Sequence, residues 1–320
     1  MQPLEGLLVV DLTRQLPGPF ASRELLRLGA RVVRLESPEG DPLRAIAPLW
    51  DAALNAGKES VVCDLKAEPE VGRALCARAD VVLEGFRPGV AARLGVGPDD
   101  VPDRVVYCSI TGFGLEGRHV LRAGHDLNYL GWAGALADTA PAMPPVQAAD
   151  LGAGALSAVA EILAALLERE HTGRGAQLVV SMTHGSHRFV SHRLTGDPRP
   201  HLLTGGLACY RIYETADGRW LTVAALEGHF FERLCALLER PELAQLQFAE
   251  DQEALADDLA AIFAARPLAE WIELFDAEDV AIGPVATLEE AAGDLSSGEP
   301  QPPAPRLGQH TDEWRTELGF

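Results

Sequence analysis

The 320-residue sequence is poor in positive charge, with 27 Lys and Arg against 47 Asp and Glu and a formal net charge of −20. A nucleic-acid-binding protein needs a basic surface, and anionic membranes repel an acidic one. We therefore expect neither nucleic acid nor membrane as a partner. The acidity is uneven: residues 241–320 carry 18 acidic side chains and three arginines. An anion could still bind within the first 240 residues.

Cysteines and long apolar runs are also scarce. The five cysteines are widely spaced and include no C-x-x-C pair, which is typical of reduced thiols rather than of a disulfide framework or zinc site. The N-terminus lacks the basic and apolar segments of a signal peptide. The most apolar helix candidate, residues 155–167, contains Glu161 and is too short to span a bilayer. These features predict a cytoplasmic protein.

Two familiar site motifs are missing. The sequence contains no G-x-x-x-x-G-K-[ST] and no G-x-S-x-G, so the usual phosphate-binding P-loop and the serine nucleophile elbow are excluded. His184, His187 and His192 have no cysteine or carboxylate near them in sequence to complete a metal site. We expect no metal.

Short apolar runs alternate with helical patterns through the first part of the chain. This pattern is typical of an α/β fold with a parallel sheet covered on both faces. The expected strands are residues 7–11, 31–35, 61–64, 81–84, 105–110 and 177–182. We therefore predict a large Rossmann-like domain over residues 1–194.

A second unit follows a stretch rich in glycine and proline. Residues 195–209 are expected to form a linker. Two strand-like runs flank Asp217-Gly218, which is a strong hairpin signal, and helical patterns come next. The sequence thus predicts a smaller α+β domain over residues 210–295 and a tail over 296–320.

Three cations lie at predicted strand ends or turns. Arg34 is expected to close the second strand, Lys58 to precede the third and Arg87 to follow the fourth. Ligands of open α/β sheets bind outside the carboxyl ends of the strands, and Arg and Lys there suit phosphate. By position alone, all three could equally be ordinary surface charges.

Three candidate acid–base residues lie where a helix is predicted to begin: His125, Asp150 and Glu227. Each has a simpler alternative role. Asp is a common N-cap, His can cap or pack, and Glu before a helix complements the helix dipole.

Several motifs, in this order and spacing, occur together in one family. They are residues 12–20 (LTRQLPGPF), 28–36 (LGARVVRLE), 54–58 (LNAGK), 64–66 (DLK), 84–89 (EGFRPG), 109–114 (SITGFG), 169–175 (REHTGRG), 213–218 (YETADG) and 305–308 (PRLG). With these motifs the chain resembles the CaiB/BaiF group, which comprises the family III CoA transferases and the α-methylacyl-CoA racemases. The resemblance covers nearly the whole sequence.

The resemblance implies roles for the acid–base candidates. Gly124-His125-Asp126 and Leu226-Glu227 look like the racemase branch, in which His125 and Asp150 are the two bases and Glu227 partners the histidine. Inverting a carbon α to a thioester needs a base on each face. Free N–H groups at the helix start around Asp126 would stabilise the enolate. In the transferase branch Asp150 would be the nucleophile that becomes acylated.

The family also implies ligands and assembly. Arg34, Lys58 and Arg87 match positions that hold CoA, and no cofactor beyond the CoA moiety of the acyl-CoA substrate is expected. Family members form an interlaced homodimer in which Glu227 would come from the partner subunit, with the tail returning to the large domain. The run of several glycines in transferases is reduced here to Gly205-Gly206, which favours the racemase. A CoA transferase and a non-catalytic acyl-CoA-binding protein remain the alternatives.

Overall fold

The computed structural model describes residues 2–196, 202–295 and 302–320. The chain divides into two units. The first contains the described residues up to His192 and the C-terminal residues 302–320, and the second begins at Arg193.

The first unit is built on a six-stranded parallel sheet. Its strands are β1 (Leu8–Asp11), β2 (Arg31–Glu36), β3 (Glu59–Val62), β4 (Val81–Glu84), β5 (Val106–Thr111) and β6 (Gln177–Ser181). They are ordered β3-β2-β1-β4-β5-β6, the order of a doubly wound Rossmann sheet. The predicted α/β class is confirmed, and the strand order reverses between β1 and β4.

Helices cover both faces of this sheet, and each face buries its own apolar cluster. The helices are α1 (Pro17–Arg27), α2 (Leu43–Ile46), α3 (Pro48–Asn55), α4 (Pro69–Arg78), α5 (Val90–Arg93), α6 (Asp126–Ala133), α7 (Ser157–Thr172) and α8 (Met182–Val190). A π-helix, Ala149–Leu156, runs directly into α7. Apolar strands such as β4, buried along their whole length, are what a sheet covered on both faces requires.

The π-helix and α7 form one helical stretch, Ala149–Thr172, which extends beyond the apolar segment 155–167 at both ends. It is the one stretch in the described part of the chain that is long and apolar enough to cross a membrane, judged by length and composition alone. Its side chains Ala155, Ile162 and Leu166 are buried in the apolar cluster on one face of the sheet.

The C-terminal residues pack against the first unit. In helix α13 (Thr311–Leu318), Trp314 is buried in one of the two apolar clusters that flank the sheet. The Nδ1 atom of His310 accepts a hydrogen bond from the Ser60 backbone N–H at 3.1 Å, and Thr311 Oγ1 accepts one from Val62 at 3.0 Å. These bonds satisfy donors on β3, which would otherwise be an open edge.

The second unit contains a three-stranded antiparallel sheet, β7 (Tyr210–Glu214), β8 (Trp220–Ala224) and β9 (Ile282–Pro284). Its helices are α9 (Gly228–Leu237), α10 (Gln252–Phe263), α11 (Leu268–Phe275) and α12 (Leu288–Leu295). The predicted linker 195–209 lies in part outside the described residues. Its end, Leu207 to Cys209, is buried in the core of this unit rather than exposed.

Candidate active site

A cavity of about 630 Å³ opens at the carboxyl ends of β1, β4 and β5. Three of its walls are the segments that follow these strands, residues 12–18, 85–88 and 112–114. The cavity therefore lies where the strand order reverses, which is where open α/β sheets bind ligands. Residues 120–129, with Asp150 and Met182, complete the lining.

His125 lies at the N-cap of α6 and lines the cavity. Its backbone N–H donates to Oδ1 of Asn128 at 3.0 Å, and its carbonyl oxygen accepts from the Asn128 N–H at 2.8 Å. This reciprocal bonding fixes the start of the helix. The imidazole remains exposed and able to reach a ligand.

Asp150 lies in the first turn of the π-helix and lines the same cavity. Its backbone N–H donates to Oδ1 of Asp126 at 2.9 Å. Asp126 is the first residue of α6 and is buried, so it joins the two helix starts that carry His125 and Asp150.

Burial raises the pKa of Asp150 to about 7, and the nearby charge of Asp126 adds to the effect. Low-dielectric surroundings disfavour the ionised carboxylate, and a second carboxylate repels it. Near neutral pH both protonation states of Asp150 are consequently populated.

Tyr129 supports the segment that leads to His125. Its buried ring packs edge-on against Phe113, and its hydroxyl donates to the carbonyl oxygen of Gly124 at 2.5 Å. A Cβ at Gly124 would lie 2.8 Å from the Tyr129 ring, so glycine permits this close approach. Burial and the charges of Asp150 and Asp126 raise the pKa of Tyr129 to about 12, which keeps it protonated as a donor.

Three arginines, Arg14, Arg87 and Arg122, line the cavity with exposed side chains. Arg122 donates to Nδ1 of His119 at 2.8 Å, whereas within the described residues Arg14 and Arg87 make neither an ion pair nor a side-chain hydrogen bond. Many other arginines of this acidic chain are paired with carboxylates, such as Arg31 with Glu59. Arg14 and Arg87 are thus available to an anion.

A second cavity, of about 370 Å³, adjoins the first along residues 12–14 and Phe86. It lies beyond the ends of β2 and β3, and Arg14 and Lys66 are the cations among its lining residues. The two cavities together offer room for an elongated ligand.

Arg34 does not contact either cavity, contrary to the prediction. Strand β2 continues to Glu36, so Arg34 lies inside the strand rather than at its end. Its guanidinium is fully buried and lies 3.0 Å from Asp41, 3.3 Å from Asp51 and 3.5 Å from Glu36. It is therefore not available to a CoA phosphate.

Lys58 is also buried rather than exposed to a ligand. It precedes β3, and so lies at the amino end of that strand. Its Nζ donates to the Pro19 carbonyl at 2.7 Å, Ser22 Oγ at 2.7 Å and Asn55 Oδ1 at 2.9 Å. Burial lowers the pKa of Lys58 to about 7.

Glu227 lies in the second unit, exposed, directly before α9. Its partnership with His125 stays a prediction. Of the predicted histidine cluster, His184 contacts Ser181 Oγ and His187 contacts the Ala133 carbonyl. Over residues 2–196, 202–295 and 302–320, no three His, Cys, Asp or Glu side chains are grouped as metal ligands.

Sequence reasoning missed Arg14. The rule that selected Arg87, a cation just after a strand, applies equally to Arg14, which lies three residues after β1. The role of Tyr129 could not be predicted from the sequence, because it depends on the close contact between its side chain and the Gly124 backbone in the folded chain.

The sequence and structure are similar to known acyl-CoA enzymes. The profile of CoA-transferase family III matches residues 4–299. The human α-methylacyl-CoA racemase is 33% identical over 99% of this chain and 94% of its own length. The acetyl-CoA:oxalate CoA-transferase of Acetobacter aceti is 31% identical over 91% of this chain and 82% of its own length.

Solved structures agree. The crystal structure of Rv3272 from Mycobacterium tuberculosis superposes with a TM-score of 0.84 at 28% identity and covers 98% of this chain and 99% of that one. A CaiB/BaiF family protein from Brucella suis gives a TM-score of 0.81 at 28% identity, covering 99% of each chain. The chain belongs to CoA-transferase family III, which includes both racemases and CoA transferases.

Proposed function

We propose that the protein epimerises 2-methylacyl-CoA thioesters. The observation that carries this proposal is the presence of His125 and Asp150 on one cavity, with the pKa of Asp150 raised to about 7 by burial. A base that must accept a proton in one direction and return it in the other works best when its pKa is near the working pH.

The chemistry uses the two bases in turn. One removes the α-proton of the thioester to form an enolate, and the other delivers a proton to the opposite face of the same carbon. His125 and Asp150 exchange roles for the opposite epimer. After each reaction cycle the base that removed the proton is protonated, and the base that delivered one is unprotonated. A lone base would exchange the proton without inverting the centre.

The enolate oxygen needs donors that are already oriented. In the first turn of α6 the Asn128 N–H already donates to the His125 carbonyl, whereas the N–H groups of Asp126 and Leu127 have no carbonyl partner among the described residues, and the helix dipole is positive at that end. Since His125 at the N-cap lines the cavity, these groups are the candidates for the enolate oxygen.

The CoA phosphates are assigned to Arg14, Arg87 and Lys66. This assignment is supported by the lack of an ion-pair partner for Arg14 and Arg87 within the described residues and by the position of Lys66 on the adjoining cavity. Arginine suits phosphate through its bidentate fork. No cofactor beyond the CoA moiety enters this scheme.

A family III CoA transferase is the second candidate. It is supported by Asp150 itself, a half-buried carboxylate on the cavity that could attack a thioester carbonyl, break its C–S bond to release the CoA thiolate, and form an acyl–aspartyl anhydride. This chemistry needs no histidine base, so His125 distinguishes the two functions.

The experiment that separates them starts from one epimer of a 2-methylacyl-CoA, with and without an added carboxylate as acceptor. Epimerisation predicts that chiral chromatography shows both epimers whether or not acceptor is present, and that His125→Gln abolishes the change. Transfer predicts new acyl-CoA only with acceptor, in wild type and His125→Gln alike.

We also propose that the enzyme is a cytoplasmic homodimer in which Glu227 of the partner subunit completes the site by orienting His125. The proposal is supported by the family resemblance and by the exposure of Glu227.

A further inference from the structure

The loop of residues 12–18 is a wall shared by the two cavities and carries Arg14. Gln15, the next residue, has a φ of +67°, in the left-handed region that non-glycine residues rarely adopt. A loop with this conformation persists only where its surroundings hold it. One of the groups that hold it, Asp41, is itself among the residues that line the second cavity.

Asp41 holds the loop at Gln15. Its Oδ2 accepts the Gln15 backbone N–H at 2.9 Å, and its Oδ1 accepts the Leu43 N–H at 2.9 Å. Arg34 Nη2 donates to the same Oδ2 at 3.0 Å. Asp41 is 2% exposed, so three donors occupy a carboxylate that solvent scarcely reaches.

Arg34 in turn fixes Asp41. The guanidinium lies between Asp41, Asp51 and Glu36 and is inaccessible to solvent. Because a buried charge is costly to leave unpaired, Asp41 stays paired with it and keeps its position under Gln15.

A second network holds the start of the same loop. Asp11, at the end of β1, accepts the Thr13 N–H at 2.8 Å and also the hydroxyls of Thr13 and Ser22. Lys58 Nζ lies 3.9 Å from Asp11 and donates to Ser22. Two of the three cations expected to hold CoA, Arg34 and Lys58, thus belong to the networks that hold the loop.

We infer that Arg34 and Asp41 are positioning residues, which set the Arg14 loop in the conformation that binds the phosphates of CoA. This inference rests on the proposed function, since it takes CoA as the ligand of the two cavities. Arg34 contributes through Asp41 and the loop, without contact to the ligand.

The test compares two substitutions that each remove one carboxylate from Arg34. Asp41→Asn puts an amide among three donors, one of them the Gln15 N–H. The matched control, Asp51→Asn, also takes a carboxylate from Arg34, but Asp51 bonds Asn55 rather than the loop. Calorimetric titration with free coenzyme A should show binding about tenfold weaker in Asp41→Asn, the cost of a bond to a charged group, than in Asp51→Asn.

The same titration in an Arg14→Ala background tests whether the effect passes through the loop. There Asp41→Asn should change coenzyme A affinity by less than about twofold, because the phosphate contact is already gone. If Asp41→Asn does not fold, Asp41→Glu retains the charge but displaces the carboxylate, and it serves in the same comparison.

Equal affinities of the Asp41 and Asp51 variants, or an undiminished Asp41 effect without Arg14, would overturn the inference. A wild-type protein that binds no coenzyme A would instead overturn the proposed function. The two failures are therefore distinguishable.

Discussion

Asp150 carries the chemistry of the proposed site at the scale of a single residue. Its pKa of about 7 arises first from burial and then from Asp126, whose Oδ1 also accepts the Asp150 backbone N–H. Asp126 thus contributes both to the position of Asp150 and, after burial, to the raised pKa of its carboxyl.

Asp126→Asn should move the pH–rate profile. The amide keeps an oxygen acceptor for the Asp150 N–H but removes the repelling charge, so the pKa of Asp150 falls. The two-base mechanism gives a bell-shaped profile of kcat/KM, and we expect the limb that belongs to Asp150 to move to lower pH. An unchanged profile in Asp126→Asn would show that Asp126 does not act on Asp150.

Asp150→Asn should stabilise the fold in a pH-dependent way. The unfolded Asp150 carboxyl loses its proton near its ordinary pKa of 3.8, whereas the folded one keeps it to about 7. Between these values the native state binds more protons, so the stability of the wild type falls as pH rises through this window. The Asp150→Asn variant does not lose stability in this window. Its gain in the free energy of unfolding over the wild type should therefore be larger at about pH 8 than at about pH 4.5.

Urea unfolding at the two pH values measures this difference in the free energy of unfolding. Asp99→Asn, which removes an exposed carboxylate of the same unit, controls for the change in net charge. An advantage of Asp150→Asn that stays constant with pH would contradict the raised pKa.

Most of the candidate acid–base residues could be predicted from the sequence, but not every cation that lines the cavities. His125, Asp150 and Arg87 were predicted from their places at helix starts and strand ends, and all three line one cavity. Arg34 and Lys58 could not be told apart from surface cations, because their burial depends on carboxylates and carbonyls from other elements.

At the scale of elements, the π-helix determines where Asp150 points. It packs closely on α8, and a Cβ at Gly185 would lie 2.8 Å from Ala153 Cβ and 2.9 Å from its carbonyl oxygen. Backbone at this distance cannot move aside as a flexible side chain can. The glycine therefore sets the spacing between α8 and the helix that carries Asp150.

Gly185→Ala should disturb this contact and cost about 1–3 kcal/mol in the free energy of unfolding. Activity should fall as well, since Asp150 shifts with its helix. Gly131→Ala in α6 is the matched control, because no atom outside its own helix lies within 4 Å of the added Cβ. There we expect neutrality or a gain of about 0.5–1 kcal/mol. Equal effects of the two substitutions would contradict the close packing.

The parallel strands could be predicted because buried strands read as short apolar runs between helical patterns. The short helices α2 and α3 could not, because their apolar side chains Ile46, Leu49 and Trp50 are exposed, while α3 buries polar side chains such as Asp51 and Asn55. Strand β9 could not be predicted either, because its three residues are too few to show the alternation of apolar and polar side chains that indicates a strand.

At the scale of the whole molecule, the charge of −20 is compatible with an anionic ligand. Most of the net negative charge lies after residue 240, whereas the cavity with Arg14 and Arg87 belongs to the first unit. Acidity of the chain as a whole thus does not prevent a few placed cations from holding a phosphate.

The proposed dimer makes a prediction that a monomer does not. Asp150→Ala and Glu227→Ala should each be inactive alone. If His125 and Asp150 pair with Glu227 of the partner subunit, a mixed dimer contains one site with both lesions and one intact site. Co-expression of the two variants should therefore restore about a quarter of wild-type activity, as random pairing gives. No recovery would show that Glu227 acts in the site of its own chain, and a Glu227→Ala variant that is active alone would place Glu227 outside the site.

The central claim is that His125 and Asp150 move the α-proton of an acyl-CoA thioester. It is tested most directly by incubating one epimer of a 2-methylacyl-CoA with the enzyme in deuterated water. Mass spectrometry and chiral chromatography should show deuterium at the α-carbon of the opposite epimer, and the variant lacking both His125 and Asp150 should incorporate none. Transfer of CoA to an added carboxylate without α-deuterium, or deuterium uptake that survives the loss of both residues, would contradict the account.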